Sequence, residues 1–214
     1  MRLGLFGGTF DPIHYGHLLL AECCREQARL DEVWFLPTAV PPHKQGQELT
    51  SAEVRIEMLD LAIAGHAAFS VCRYEADRGG VNFTVDTLSH FREECPEDDL
   101  FFLLGADMLH DLPTWREAAR VCELATPIVV CRPGTGELDF DCLARIATAG
   151  QIERVRLHQV AMPEIGISGT ELRRRAAVGE SLRYQTPRAV QKYIETHGLY
   201  CAATCQPAPL DGSR

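Results

Sequence analysis

The sequence contains no long hydrophobic run and no excess of positive charge. Its longest apolar stretches span only a few residues, well short of the roughly 20 that a membrane helix requires. The 21 Lys and Arg residues face 30 Asp and Glu residues, giving a formal net charge of −9. We therefore expect no membrane insertion and no broad cationic surface for nucleic acid. Any anionic ligand must be held by a local cluster of residues.

The spacings of a structural zinc site or a secretory disulfide framework are also missing. The chain has 9 cysteines, an odd number, and no two of them form a C-x-x-C pair. The N-terminus reaches Asp11 before the apolar segment of a signal peptide could form. We therefore expect reduced cysteines that serve mostly as small buried apolar residues, no cysteine-based metal site, and a cytoplasmic location.

Short apolar runs alternate with amphipathic stretches along most of the chain. The run 100–104 is apolar throughout, as in a central strand of a parallel sheet. This alternation predicts βαβ units and an α/β fold with a doubly wound, Rossmann-like parallel sheet. The predicted strands are 3–6, 33–36, 69–73, 100–104, 128–131 and 155–160, and the predicted helices between them are 17–29, 53–64, 83–94, 115–123 and 141–149.

The last third of the chain is predicted to be helical. Thr186 and Pro187 fit the N-cap and first position of a helix, and Gly198 fits its C-terminal stop. We expect one domain over 1–200. The stretch 201–214 has no periodicity and is predicted to be a flexible tail.

The loop from Gly7 to His17 is the first candidate for chemistry. Ligands of open parallel sheets bind beyond the carboxyl ends of strands, beside helix N-termini that favour anions. Gly7 and Gly8 allow close backbone approach, and His14 and His17 are spaced to share one helix face. The pattern predicts a phosphate site, although it also fits a glycine turn followed by two packed histidines. The dinucleotide and P-loop fingerprints are both absent.

The string Gly7-Gly8-Thr9-Phe10-Asp11-Pro12, followed by H-x-G-H from His14 to His17, resembles the nucleotidylyltransferase superfamily. Within it, the chain resembles the nicotinate-nucleotide adenylyltransferases through about Tyr200. The resemblance implies transfer of AMP from ATP to nicotinate mononucleotide, with Mg²⁺ carried mainly by the ATP. It implies that the catalytic residues are His14, His17 and Arg173, and that ATP contacts Gly7, Gly8, Thr9, Phe10, Gly105, Asp107, Ser168 and Thr170.

Three further segments carry the narrower resemblance toward the acceptor nucleotide. The stretch around His43 and Lys44 is similar to the family's phosphate-contacting loop, which implies that both residues bind substrate phosphate. Thr84 occupies the position near the nicotinate carboxylate, and Trp115 matches the tryptophan that stacks on the pyridine ring. In many relatives a tyrosine follows that tryptophan, whereas this chain has Arg116.

The last motif, from Ile167 to Arg173, resembles the family's I-S-x-T-x-x-R. Ser168 and Glu171 also satisfy the S-x-x-E capping box, which predicts that the Ser168 hydroxyl caps a helix. The Arg173 guanidinium offers phosphate a rigid fork of donors that lysine lacks. Some relatives have serine where this chain has Gly169.

Alternative functions remain at this point. The acceptor could be nicotinamide mononucleotide or phosphopantetheine, although phosphopantetheine enzymes usually carry T-x-G-H at the H-x-G-H position. Separating nicotinate from nicotinamide depends on whether the pocket offers donors alone or also an acceptor for an amide. A catalytically silent nucleotide-binding module and a homo-oligomer are both compatible with the sequence. A serine hydrolase is disfavoured, because the segment around Ser168 lacks the second glycine of G-x-S-x-G.

Overall fold

A computed structural model of the chain describes residues 1–39, 49–134 and 136–201. Six parallel strands form one sheet in the order β3-β2-β1-β4-β5-β6. The predicted doubly wound parallel sheet is therefore confirmed. The strands are β1 Arg2–Gly8, β2 Glu32–Pro37, β3 Phe69–Val71, β4 Asp99–Gly105, β5 Thr126–Cys131 and β6 Gln159–Ala161.

The strand order reverses direction at the centre of the sheet. From β1 the chain builds outward through β2 and β3, and it then crosses back to place β4 on the other side of β1. Gly4 pairs with Val33 of β2 and with Phe101 of β4. Because all strands run parallel, their carboxyl ends share one edge. The crevice beyond β1 and β4 is the place where such a sheet binds ligands.

Helices cover both faces of the sheet, and local signals fix several of their ends. The Ser51 side chain accepts from the backbone N–H of Val54 and begins α2. Gly198, with a left-handed φ of 59°, ends α8 as predicted. No described helix combines the length and hydrophobicity needed to cross a membrane. The helices are α1 Tyr15–Gln27, α2 Ala52–Ile63, α3 Tyr74–Arg78, α4 Thr84–Glu94, α5 Ala118–Leu124, α6 Ala149–Leu157, α7 Gly169–Ala177 and α8 Arg188–His197.

Alternate residues of the central strands pack into two separate apolar cores. Leu3 and Leu5 of β1 face the core that also contains residues of α4, α5 and α6. Phe6 faces the opposite core, to which α1, α2, α7 and α8 contribute. The strict alternation explains why the strands were recognisable as apolar runs, since a sheet covered on both faces needs apolar residues at every position.

Two predicted elements near residue 150 are wrong. The predicted helix 141–149 is a 3-10 turn over Phe140–Arg145, and the first half of the predicted strand 155–160 belongs to α6. Thr148 and Gln151 form a reciprocal capping box that begins α6 later than expected. Once that helix has begun, Val155 is its buried residue rather than the start of a strand. The predicted helix 115–123 likewise begins only at Ala118.

The C-terminal region is attached to the loop that follows β1. The Thr186 hydroxyl donates to the carbonyl of Ile13 at 2.8 Å, so it does not cap α8 as predicted, and Pro187 stands at the N-cap instead. The Tyr200 hydroxyl donates to the Asp11 carboxylate at 2.6 Å. These bonds join residues that are far apart in sequence and fix the loop from the side of α7 and α8.

A buried arginine of α2 bonds to the same loop. Arg55 of α2 is only 1% exposed, and its guanidinium donates to the carbonyls of Thr9 at 2.7 Å and Thr50 at 2.9 Å. Burial lowers the pKa of Arg55, while the nearby charge of Asp11 opposes that shift. The guanidinium is therefore a buried cation whose compensation comes from the loop itself.

We expect Arg55→Leu to lower the free energy of unfolding by about 3 kcal/mol, because it removes the donor from two partly buried carbonyls and the buried cation beside the Asp11 carboxylate. Urea denaturation of the purified protein measures this change. Arg73→Leu is the matched control: Arg73 pairs with Glu53 and Asp77 but is exposed, so its loss should cost less than about 1 kcal/mol. Equal effects for the two variants would contradict the structural role of Arg55.

Candidate active site

The candidate site lies at the carboxyl ends of β1 and β4, where the strand order reverses. β1 ends at Gly8, and the chain turns through Phe10, which has a positive φ of 48°, and a cis peptide bond between Asp11 and Pro12. His14 follows in an extended conformation as the N-cap of α1. The loop therefore delivers the N-terminus of α1 to the ligand-binding edge of the sheet.

His14 and His17 form a stacked pair at the start of α1. Their ring centroids are 3.7 Å apart and the ring planes differ by 21°. Gly16 makes this arrangement possible, because a Cβ at that position would lie 3.0 Å from Cε1 and Nδ1 of His14. The glycine in H-x-G-H thus leaves room for the first imidazole beside the second.

The environment of His14 keeps its imidazole neutral at neutral pH. The residue is only 6% exposed, and burial lowers its pKa from 6.5 to about 4, with a smaller contribution from the positive charge of Arg132. Within the described ranges, Nδ1 of His14 is buried and has no hydrogen-bond partner. A neutral imidazole has one donor and one acceptor nitrogen, so His14 can offer a hydrogen bond without burying a charge.

Arg132 is a site residue that the sequence analysis missed. It follows β5 directly and lines a cavity of about 360 Å³ at the carboxyl ends of β4 and β5, together with the predicted ATP contact Asp107. The positive charge of Arg132 contributes to the lowered pKa of His14. The signal was an arginine immediately after a buried strand, where side chains reach the ligand-binding edge. The cavity is lined by Ala106, Asp107, His110, Val130, Arg132, Gly136, Glu137 and Leu138.

The residues from Gly7 to Phe10, at the end of β1 and just after it, differ in how far they are exposed. Gly7 is exposed, and no atom lies within 4 Å of the position that its Cβ would occupy. Gly8 and Thr9 are half-buried. Phe10, predicted to contact ATP, is fully buried: its ring lies beneath Gly8 and packs edge-on against Phe6 at 5.3 Å. Phe10 therefore supports the loop from within the core and does not present a surface to a ligand.

The N-terminal turn of α7 lies against the histidine loop. The Arg173 guanidinium donates to the carbonyl of Asp11 at 2.7 Å and to the Thr170 hydroxyl at 3.3 Å. Gly169 permits this approach, since a Cβ there would lie 3.0 Å from the Asp11 carbonyl oxygen. The structure thus brings Arg173 to the same loop as His14, across 162 positions of sequence.

Only half of the predicted capping box is present at α7. The Ser168 hydroxyl accepts from the backbone N–H of Glu171 at 3.2 Å, as expected for an N-cap. The Glu171 carboxylate instead pairs with Arg174 at 2.7 Å, and this pairing lowers the pKa of Glu171. Ser168 and Thr170 are both exposed at the helix start. Their hydroxyls therefore stand at the edge of the site, next to Arg173.

The segments predicted to bind the acceptor lie on the other face of the sheet. Thr84 is the first residue of α4, and Trp115 is half-buried just before α5, with its ring 6.2 Å from that of Phe102. Arg116 joins the two segments, because its guanidinium lies 4.8 Å from the ring centroid of Phe83. The predicted phosphate contacts His43 and Lys44 lie outside the described residues.

A buried polar cluster that the sequence analysis missed supports the start of α4. The Thr87 hydroxyl donates to the Glu75 carboxylate at 2.8 Å, and the Asn82 amide donates to the Glu75 carbonyl at 3.0 Å. Burial raises the pKa of Glu75. The cluster ties α3 to α4 and fixes the position of Thr84, two residues after Asn82.

No group of three or more His, Cys, Asp or Glu side chains among the described residues is arranged to hold a metal ion. At the cavity edge, Gly105 ends β4 and the exposed carboxylate of Asp107 folds back toward it. This donor set does not form a protein cage for a cation. It is compatible with a cation held mainly by a bound polyphosphate.

The lowered pKa of His14 predicts a pH-dependent stability. The unfolded chain takes up a proton near pH 6.5, whereas folded His14 does so only near pH 4, so protonation favours unfolding between those values. From about pH 7 to about pH 5, this one group should lower the free energy of unfolding by about 2 kcal/mol. The measurement is urea denaturation at both pH values for the unmodified protein and for His14→Gln. A variant with the same pH dependence as the unmodified protein would contradict the assignment.

The chain is similar to known proteins along most of its length. Residues 5–175 match the family model described as cytidylyltransferase-like. A protein of Thermomicrobium roseum named probable nicotinate-nucleotide adenylyltransferase is 46% identical over 200 residues, covering 93% of this chain and 91% of that protein. A protein of the same name from Thermus thermophilus is 48% identical over 202 residues, covering 94% of this chain and 100% of that protein.

The solved structures add support for the fold. A nicotinic acid mononucleotide adenylyltransferase of Plasmodium falciparum, complexed with NaAD, superposes with a TM-score of 0.74 at 20% identity, covering 93% of this chain and 97% of that one. From the family match, the length of the alignments and their identity, the chain belongs to the cytidylyltransferase-like nucleotidyltransferases and, among them, to the nicotinate-nucleotide adenylyltransferase family.

Proposed function

We propose that this chain transfers AMP from ATP to nicotinate mononucleotide, forming nicotinate adenine dinucleotide and pyrophosphate in NAD biosynthesis. The observation that carries the proposal is the stacked pair of His14 and His17 at the strand-order reversal, with Arg173 bound to the same loop. This arrangement occurs in a chain with 46% and 48% identity to proteins named for that activity.

The chemistry requires positioning more than proton transfer. The attacking group is the 5′-phosphate of the mononucleotide, which is an anion at neutral pH because its second pKa is about 6. It displaces pyrophosphate from the α-phosphorus of ATP, forming one P–O bond as another breaks. No general base is needed, so the protein contributes mainly by aligning two polyanions and stabilising the charge that spreads over the transferring group.

The histidine pair is assigned to the α- and β-phosphates of ATP. His14 donates as a neutral imidazole from a nearly buried position, and His17 donates from the first turn of α1. The backbone of Gly7, Gly8 and Thr9 borders the open space above the end of β1, where a phosphate can approach without meeting a side chain of Gly7. The N-terminus of α1 adds the favourable end of its dipole.

Arg173 is assigned to the pyrophosphate that leaves. Its bonds to the Asp11 carbonyl and the Thr170 hydroxyl use two of the five N–H donors of a guanidinium. The remaining donors and the N-terminal turn of α7, capped by Ser168, serve the β- and γ-phosphates in this proposal. Asp107 lines the neighbouring cavity, and in this proposal it serves the rest of the nucleotide together with Gly105.

Enzymes that transfer phosphoryl groups from ATP use a divalent metal with it, and for this chain we propose Mg²⁺. In this proposal the ion is held by phosphate oxygens and water, and no protein ligand is assigned to it. Mg²⁺ suits such a site because it loses its waters reluctantly. When bound, it neutralises phosphate charge.

The acceptor is assigned to the face that carries Thr84 and Trp115, where an offset aromatic contact suits the electron-poor pyridine ring. Several expectations stay predictions: binding of the acceptor phosphate by His43 and Lys44, a cytoplasmic location, one domain over 1–200, the absence of nucleic-acid binding and any homo-oligomer.

Pyrophosphate release from Mg-ATP tests the function, with nicotinate mononucleotide, nicotinamide mononucleotide or phosphopantetheine offered singly. We expect the fastest release with nicotinate mononucleotide, and no release with any acceptor would support a silent binding module.

We expect His17→Ala to destabilise the transition state of adenylyl transfer by about 3 kcal/mol, because it removes one well-placed hydrogen-bond donor. This loss corresponds to a fall in kcat/KM by a factor on the order of 100. Circular dichroism and urea denaturation should show a folded protein. His197→Ala is the control, since His197 is exposed in the last turn of α8, where its ring stacks on that of Tyr193. A turnover unchanged in His17→Ala would remove the histidine pair from the mechanism.

We expect Trp115→Ala to raise the KM for nicotinate mononucleotide about tenfold, because it deletes the surface on which the pyridine ring stacks. The KM for ATP should stay within about twofold of its original value. Trp115→Phe retains an aromatic face and should recover most of the affinity. If both substrates lost affinity equally, Trp115 would have a packing role only.

A further inference from the structure

We propose that Arg116 is a specificity-determining residue that binds the carboxylate on the pyridine ring of the acceptor and so favours nicotinate over nicotinamide mononucleotide. The inference rests on the proposed function, and it concerns the residue that stands where many relatives have tyrosine. It assigns a partner to the charged group that distinguishes the two mononucleotides.

The position of Arg116 connects the two segments assigned to the acceptor. The residue follows Trp115 directly, and its guanidinium lies 4.8 Å from the ring centroid of Phe83. Phe83 in turn directly precedes Thr84, the first residue of α4. A pyridine ring stacked on Trp115, with its substituent near Thr84, would therefore present that substituent close to the guanidinium.

The guanidinium is positioned but does not form a close ion pair. The cation–π contact with Phe83 orients it. Its NH1 is 3.9 Å from the Asp86 carboxylate and its Nε is 3.6 Å from the Glu117 carboxylate, distances that exceed those of charge-assisted hydrogen bonds. Asp86 has a nearer partner in Arg78, at 3.2 Å.

This arrangement suits a carboxylate ligand better than an amide. A nicotinate carboxylate can accept two parallel N–H bonds from a guanidinium, whereas an amide offers one neutral oxygen. Charge-assisted bonds are roughly twice as strong as neutral ones. In a chain with a net charge of −9, the local cation also offsets the repulsion that an anionic substituent would otherwise meet.

The half-exposed setting makes the contribution dependent on salt. The Arg116 side chain is 52% exposed, so ions screen its interaction with a carboxylate. A neutral amide would show no comparable dependence. The ratio of the two acceptors, and the response of that ratio to salt, are therefore the quantities that report on Arg116.

The test measures steady-state kinetics of the full chain with Mg-ATP and either mononucleotide, for the unmodified protein, Arg116→Gln and Arg116→Lys. We expect Arg116→Gln to lower kcat/KM for nicotinate mononucleotide about tenfold through KM, and to leave nicotinamide mononucleotide and ATP within about twofold. Arg116→Lys keeps the charge without the planar fork and should fall between them. Raising KCl from about 50 to about 300 mM should raise the KM for nicotinate mononucleotide relative to that for nicotinamide mononucleotide in the unmodified protein, and this ratio should not change with KCl in Arg116→Gln.

Arg120→Gln is the matched control, because Arg120 has a similar exposure of 53% and pairs with Glu123 within α5. If nicotinamide mononucleotide is not turned over, its inhibition constant against nicotinate mononucleotide replaces its KM. An equal loss for both acceptors, or no loss for either, would overturn the role of Arg116 while leaving the adenylyl transfer intact. If the unmodified protein used neither mononucleotide, the proposed function would fail, and this inference with it.

Discussion

The site depends on hydrogen bonds that side chains give to the backbone carbonyls of one loop. Arg55, Arg173 and Thr186 donate to the carbonyls of Thr9, Asp11 and Ile13, respectively, at 2.7 to 2.8 Å. Buried backbone carbonyls need hydrogen-bond donors, and in this loop side chains supply them. The donors come from three different parts of the chain, so the loop acquires its shape only when the whole fold is assembled.

This constraint explains the electrostatic character of the histidine pair. Because side chains from several elements bond its carbonyls, the loop packs against the core, and His14 is nearly inaccessible to water. Burial makes the charged imidazole costly and the neutral one stable. The donor nucleotide would therefore meet a fixed set of neutral dipoles first, with positive charge supplied by Arg173 and Arg132 from neighbouring elements. Such a preorganised environment stabilises developing charge without reorganising during the reaction.

The sequence was sufficient for features with local signals. The strands were recognisable because both faces of the sheet are covered, and the histidine loop because its residues are contiguous. The side chains that bond to that loop were not recognisable from the sequence, since Arg55 and Thr186 lie 46 and 173 positions away from the carbonyls to which they donate. Thr186 even carried a plausible local role as a helix cap, and a tertiary bond replaced it. Near residue 150, a short apolar run was ambiguous between strand and helix, and only the Thr148 capping box decides it.

The two halves of the site differ in how they can achieve selectivity. On the side of α1 and α7, His14 is buried and Arg173 is bonded to the Asp11 carbonyl, so the groups assigned to the triphosphate are held in fixed positions. On the side of α4 and α5, Arg116 and its neighbours Asp86 and Glu117 are partly exposed, and their pairs are long. Under the proposed role of Arg116, charge rather than close fit separates the acceptors. A substitution at Arg116 would then alter acceptor preference without disturbing the histidine loop that both substrates need.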